Sequence, residues 1–278
     1  MLEILIYGII IGSIWALVAS GFSLVFGVAR ILNFAHGIFF ILGAYLAVLL
    51  YPYMGFLSII PAVMIVGAFG WFVYRFLISP IRDYEVMVIL ITLALALLME
   101  QIILAIFKDT SQSYPLFLSG VVFIGGVPVP KNRLLITAIA FAVIIALDVF
   151  IRNSKMGKFI TATSQDMEAS MLIGIDVERV YSITMAISAI LAGLAGILYA
   201  QIYAVNPETS LRVLIYAFAI VILGGLGSVR GSIVASFIIG FIQIAVSTLY
   251  DPRWAEIVAL VTIIIVLIVR PKGLFGVE

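Results

Sequence analysis

Read along its length, the chain alternates between long apolar runs and short polar breaks. Stretches free or nearly free of charge fall at 4–27, 36–51, 56–74, 86–107, 133–151, 181–204, 214–229, 231–249 and 254–270. A helix needs about 20 apolar residues to cross a bilayer's hydrocarbon, and a spanning segment must satisfy its own backbone, so these runs predict membrane helices. They are too long for the alternating strands of a membrane barrel. The fold class expected is all-α, a polytopic transmembrane helix bundle with eight to ten spans. The runs at 36–51 and 214–229 are short and adjoin Gly-rich or polar breaks, which marks them as halves of discontinuous helices. Met1 to Gly27 is read as the first membrane helix rather than a signal peptide, since no Lys or Arg precedes Arg30. No charged or Pro-rich linker divides the chain, so residues 1–278 are read as a single transmembrane domain.

Composition strengthens this picture. The chain is 65% hydrophobic and 10% charged, where a soluble domain is roughly 45–50% apolar and about 25% charged. Its 15 basic and 14 acidic residues leave a net charge of +1, so no global field points to nucleic acid. Without Cys and with one His, the chain offers no disulfide, thiolate site or metal cluster. Gly157-Lys158 lacks the spacing of a phosphate-binding loop. No catalytic residue, metal ligand or cofactor of its own is therefore expected.

Basic residues set the expected orientation, because cytoplasmic loops carry the excess of Lys and Arg. Arg75, Arg82, Arg152, Lys155, Lys158, Arg179, Arg270 and Lys272 fall at alternate ends of the proposed spans, against Lys108, Lys131, Arg133, Arg212 and Arg253 at the others. This puts the C-terminus in the cytoplasm and the N-terminus outside. Residues 108–133 form an extracytoplasmic loop in which VVFIGGVPVPKN predicts a small hairpin. The loop is either a connection or a docking surface.

Residues 152–180 are the most polar stretch and lie on the cytoplasmic side. Ser164 or Asp166 can cap a short helix with Met167, Met171 and Leu172 at helical spacing, and Gly174 supplies a left-handed stop. Asp176 can cap the next membrane helix, with Glu178 near its positive end. The short amphipathic helix either rests on lipid or serves as a lever for a cytoplasmic partner.

Two breaks combine glycine with polar groups at or near membrane depth. One is GVARILNFAHG, with Asn33, Phe34, His36 and Gly37; the other is LGGLGSVRGS, with Gly224, Gly225, Gly227 and Ser228. Irregular backbone at depth is tolerated where it is buried in protein or lines a wet cavity, so these residues are candidates for a substrate pathway. The competing reading is close helix packing, as for Gly193, Ala195 and Gly196. The two breaks also hint at a degenerate internal repeat. Glu100, with Gln101 beside it, sits near the middle of the 86–107 run, and an intramembrane carboxylate is either functional or held in a helix-to-helix hydrogen bond. Asp148 and Arg152 are spaced for an i,i+4 pair.

These blocks carry a resemblance. GSIWALVASGFSLVFGVARILNFAHG, ASMLIGIDVERV, ILGGLGSVRGSIVASFIIG and the terminal RPKGLFG together resemble the LivH-type permeases of branched-chain amino acid ABC importers, in the family's order and over nearly the whole chain. The resemblance implies a subunit of a bacterial or archaeal inner membrane that pairs with a LivM-like permease, two cytoplasmic ATPases and an extracytoplasmic substrate-binding protein. ATP and Mg would be bound by the ATPases. Ser164, Asp166, Glu168, Ala169 and Gly174 fall in the ATPase-coupling loop, where Glu168-Ala169-Ser170 replaces the wider motif's Glu-Ala-Ala. The implied cargo is leucine, isoleucine and valine, moved by alternating access. Related permeases for urea or short amides, a proton-coupled transporter using Glu100 or His36, and a small-solute channel are the alternatives.

Overall fold

The computed structural model describes residues 1–108, 110–269 and 273–275; Arg270 and Lys272 lie outside the described residues. The helices are α1 (Leu2–Ala29), α2 (His36–Met54), α3 (Ile59–Phe72), α4 (Glu85–Phe107), α5 (Lys131–Asn153), α6 (Lys155–Gln165), α7 (Met167–Leu172), α8 (Val177–Tyr199), α9 (Thr209–Gly224), α10 (Val229–Leu249) and α11 (Pro252–Val269). Strands β1 (Val121–Ile124) and β2 (Val127–Pro130) interrupt them.

Each apolar run became a helix, yet the expected span number is not what length gives. Among the described residues six stretches are long and apolar enough to cross a membrane: α1, the continuous run His36–Ile81, α4, α5, α8 and α10. Of the nine apolar helices, α11 is not among these six, and two further reasons lower the count. A turn of 3-10 helix at Gly55–Ser58 fuses α2 and α3 into one helical run, and α9 has only 16 residues.

The core is built on α1 and α8. In α1, 89% of the most apolar stretch is buried, against 17% in α4. Both helices are apolar on all sides, so in a bilayer apolarity does not choose between them; α1 carries Gly8, Gly12, Gly21 and Gly27 where α4 has no glycine. Small residues let the central backbones approach: Gly43 faces Gly193, Gly196 backs onto Phe40, and a Cβ at Gly21 would stand 2.9 Å from the Ser188 carbonyl. Packing is thus the role of Gly193 and Gly196. Each central helix is clasped by the pair that follows the other, α2 and α3 on α8, α9 and α10 on α1.

The molecule has two distinct ends. At one, β1 and β2 pair antiparallel as the sequence predicts, turning at Gly125 and Gly126, both with positive φ. The Tyr7 hydroxyl donates to the Pro128 carbonyl at 2.8 Å and the Arg133 guanidinium lies 4.9 Å over the Tyr7 ring, which pins the hairpin to the start of α1. At the other end stand the last turn of α1, the α3–α4 turn, α6 and α7.

That second end holds two helices where one was expected. Ser154 caps α6 by accepting from Gly157 N at 2.8 Å. Asp166 alone caps α7, accepting from Ala169 N at 2.9 Å, while Ser164 belongs to the last turn of α6 and donates to the Thr161 carbonyl. Asp176 caps α8 through Arg179 N at 3.0 Å, and Gly174 has φ 83° as its stop role requires. Met167 and Ser170 turn inward, whereas Met171 and Leu172 are exposed, so the buried face of α7 is not the methionine stripe. Asp148 pairs with Arg152 at 2.8 Å as spaced, and Arg230 approaches it at 3.9 Å.

Candidate functional site

Two helices start at membrane depth and meet there. After α1 ends, Arg30 to Ala35 return without helix and α2 begins at His36. His36 Nε2 lies 3.0 Å from the Val18 carbonyl, a point about 16 Å back along α1 from its last turn at 1.5 Å per residue. On the other side of the core, α8 ends at Tyr199 and the chain descends to α9, whose Ser210 carbonyl abuts Gly37 so closely that a side chain there would strike it. The N-terminal turns of α2 and α9 therefore converge.

Each start is preceded by an Asn whose side chain accepts from a nearby backbone N–H, two residues on at Asn33 and three residues on at Asn206. Asn33 Oδ1 accepts from Ala35 N at 3.0 Å; Asn206 Oδ1 accepts from Thr209 N at 3.0 Å and from Thr209 Oγ1 at 2.7 Å. Each Asn stands one turn before its helix; Asn206 takes the first N–H of α9, while Asn33 shapes the turn just ahead of α2. Asn33 also donates to Met185 Sδ at 3.4 Å, and Phe34 N donates to Thr92 Oγ1 at 3.2 Å, joining the α2 start to α8 and α4. His36 is enclosed, between Val18, Ser188 Oγ at 3.3 Å from Nδ1, and the edge-on Phe22 ring. Phe34 and Phe218 add an apolar wall.

Glu100 joins this junction from α4. Ser210 Oγ donates to its Oε2 at 3.0 Å, a helix-to-helix bond about 22 Å along α4 from Glu85. Sequence reasoning singled out Glu100 but not Ser210, Thr92 or Asn206. The repeated Asn one turn before an apolar helix was the available signal.

The structure separates the second predicted break from this junction. Gly227 abuts Gly27, about 13 Å further along α1 than Val18. Gly224 ends α9, Gly225 and Gly227 turn with positive φ, and Ser228 caps α10 through Gly231 N at 3.1 Å. Residues 33–37 thus meet residues 206–210 and not the second break. Leu274 N and Phe275 N donate to the Leu223 and Gly224 carbonyls at 2.8 and 3.1 Å, so the terminal Gly-Leu-Phe block closes the C-terminal end of α9.

Access differs at the two ends. Near α7, a cleft of about 720 Å³ is lined by Leu32, Arg82, Val88, Asp166 and Tyr181, and a second of about 1030 Å³ by Ser23, Asp148, Gly227 and Arg230. At the hairpin end a strap crosses the descending segment: Gln112 and Val205 exchange both backbone hydrogen bonds at 2.8 Å, and Tyr114 N donates to the Ala200 carbonyl at 3.0 Å. Beside α7, Glu178 accepts from Arg82, from Ser79 at 2.8 Å and from Tyr74 at 3.3 Å, tying the α3–α4 turn to the first turn of α8.

Residues 4–267 match the family model described as branched-chain amino acid transport system / permease component. The chain belongs to that family. It is 28% identical to the high-affinity branched-chain amino acid permease protein LivH of Salmonella typhimurium, over 97% of this chain and 93% of that one. With BraD of Pseudomonas aeruginosa, another high-affinity branched-chain amino acid permease protein, it shares 27% identity over 99% and 95%. The ribose import permease protein RbsC of Haemophilus influenzae is 27% identical over 59% of this chain and 51% of that one. No solved structure matches. The permease is accordingly a multi-pass membrane transport subunit, and the secondary-transporter and channel readings are not favoured.

Proposed function

We propose that the chain is one of two permease subunits of an ATP-driven importer that carries leucine, isoleucine and valine into a bacterial or archaeal cell by alternating access. The observation that carries this reading is the meeting of the α2 and α9 helix starts at membrane depth beside Glu100. Helix starts favour a carboxylate, Glu100 favours a cation, and the surrounding aromatic and aliphatic side chains favour an apolar body. A small zwitterion with an aliphatic side chain combines the three. Asn33, Phe34, Gly37 and Glu100 line this pathway, with His36 behind them as a support. Gly224, Gly225, Gly227 and Ser228 belong to its cytoplasmic mouth.

The remaining parts follow from the same reading. The end bearing α6 and α7 faces the cytoplasm, since Arg30, Arg82, Arg152, Lys155 and Arg230 gather there, and the N-terminus lies outside. All nine apolar helices, α1 to α5 and α8 to α11, are membrane-embedded. α7 leaves Met171, Leu172 and Ile173 exposed at 50%, 88% and 75% on a segment held between two spans, a tip suited to a cleft on a partner ATPase. Asp166, Glu168, Ala169 and Gly174 shape that tip, and Ser164 ends the helix before it. The full assembly adds a LivM-like permease, two ATPases that bind ATP and Mg, and an extracytoplasmic binding protein.

Reconstitution of that assembly in liposomes tests the reading. Leucine uptake is expected to require ATP and the binding protein, and Gly174→Val or a bulky residue at Glu168 is expected to uncouple hydrolysis from uptake. A binding protein that takes urea, an amide or a pentose in a calorimetric titration and ignores leucine would overturn the cargo while leaving the importer.

A further inference from the structure

The sequence marks Glu178 only as a charge near the positive end of α8, but the structure gives its carboxylate three donors. Arg82 donates to Oε1, while the Ser79 and Tyr74 hydroxyls donate to Oε2 at 2.8 and 3.3 Å. All three come from the segment that joins α3 to α4. The Arg82 guanidinium also lies 5.4 Å over the ring of Tyr181, in the next turn of α8. The Arg82 and Glu178 side chains are 26% and 36% exposed, so the pair is partly withdrawn from water and its charge-assisted bonds are screened less than those of an open surface pair.

This cluster is the outer of two levels at which α4 and α8 are joined. The inner level lies about 10 Å further along both helices at 1.5 Å per residue. There Met185 of α8 accepts from Asn33, and Thr92 of α4 accepts from Phe34 N. One turn deeper on α8, Ser188 meets His36. The cleft of about 720 Å³ lies between the levels, with Arg82 and Tyr181 on its lining at the outer one and Leu32 and Val88 at the inner one. The α2 start is therefore held from two sides, and the outer cluster fixes those two sides to each other.

The short helix α7 enters at the outer level. Its Ser170 is buried, and the Ser170 carbonyl accepts from Ile175 N at 3.0 Å, so the link to α8 is folded back on α7. Asp176 then caps α8, and Glu178 stands in the first turn. A push on α7 reaches Glu178 before any residue of the junction. If that push moved α8 alone, Asn33 would be drawn one way by Met185 while Phe34 stayed with Thr92. With α4 clamped to α8, the α2 start keeps its place between them and the displacement falls on the α9 start.

We propose that Glu178, by holding Arg82, is the positioning residue that makes α4 and α8 answer α7 as one body, and so sets how much solute crosses per ATP hydrolysed. This rests on the ATP-driven importer proposed above and is independent of which solute it carries.

The test uses the complete transporter in liposomes with its loaded binding protein at saturation, and measures solute uptake and ATP hydrolysis in the same vesicles. Uptake per ATP is expected to fall roughly three- to ten-fold in Glu178→Gln and in Arg82→Gln, the range in which substitutions along a coupled network act. Combining the two should lower the ratio no further than the worse single variant, because both remove one interaction. Arg82→Lys keeps the charge and should recover most of the ratio. Thr92→Val breaks the inner level on the α4 side and should lower the ratio about two-fold. A bond that only stabilises the fold would lower uptake and hydrolysis in proportion; an unchanged ratio in Glu178→Gln, whatever the absolute rates, overturns the proposal. Should Glu178→Gln not assemble, an unchanged ratio in Arg82→Gln overturns it, and should both fail, an unchanged ratio in Thr92→Val does. A wild-type complex that carries solute without ATP removes the importer reading and this assignment with it, whereas uptake of urea or an amide in place of leucine removes the cargo alone.

Discussion

Asn33 and Asn206 stand one turn before the two helix starts that meet at depth, and both accept backbone hydrogen bonds there, yet their surroundings differ. Asn33 is buried, reaches Met185 on α8, and is followed by Phe34, whose amide is held by Thr92 of α4. Asn206 bonds Thr209 alone and sits in a segment covered by the Gln112–Val205 strap. The first start is tied to α8 and α4 by Asn33 and by its own backbone, whereas the second is tied to α4 by the one Ser210–Glu100 bond and lies under the Gln112–Val205 strap. Motion in an alternating-access cycle is therefore expected at the α9 start and its strap, around a fixed α2 start.

Putting a side chain on Gly37 breaks the comparison most severely. Gly37→Val drives a Cβ into the Ser210 carbonyl and forces the two starts apart; overpacking of this kind costs about 1–3 kcal/mol or more, and transport measured in liposomes should be abolished. Gly37→Ala should retain more of it.

Locking the cover comes next. The hydrogen-bonded antiparallel pair Gln112 and Val205 places their Cα atoms about 5.5 Å apart, a separation that accepts a disulfide. Gln112→Cys with Val205→Cys, introduced in a chain that has no other Cys, should lose most leucine uptake on oxidation and regain it on reduction. Full activity of the oxidised form would show that the strap need not open.

The caps sharpen the contrast at smaller scale. Asn33→Ala leaves the buried Ala35 amide unpaired and should lower stability by about 1–3 kcal/mol, whereas Asn206→Ala should cost about 1 kcal/mol. Asn33→Asp loses the bond to Met185 and buries a charge; Asn206→Asp keeps its acceptor and should be nearly neutral. Thermal unfolding in detergent distinguishes the four. Smallest is Ser228→Ala, at roughly 0.5–1 kcal/mol, because Ser228 caps α10 by one bond at a partly exposed position.

Legibility in the sequence followed the range of the interaction. The Asp166 and Asp176 caps, the Gly174 stop, the Gly125-Gly126 turn and the Asp148–Arg152 pair each involve residues within one turn of each other, and each formed as read. Ser164 misled because α6 extends through it, and the capping choice between Ser164 and Asp166 depended on where that helix stopped. The GGLGS break was legible as a break, but its level along α1 was not, since that is set by Gly27 two hundred residues earlier in the chain.

The chain's own pattern determined that it lives in a bilayer, that nine apolar runs become helices, and that polar backbone interrupts them near Asn33 and Gly225, because hydrophobicity, helix capping and glycine conformations act over a few residues. Only the tertiary structure decided which interruptions face each other. Gly37 against Ser210, Ser210 against Glu100, and His36 against Val18 and Ser188 join residues far apart in sequence. Those contacts come from small residues letting α1 and α8 approach closely and from the clasping of each by the helices that follow the other, and no local pattern along one chain encodes the depth at which two such helices start.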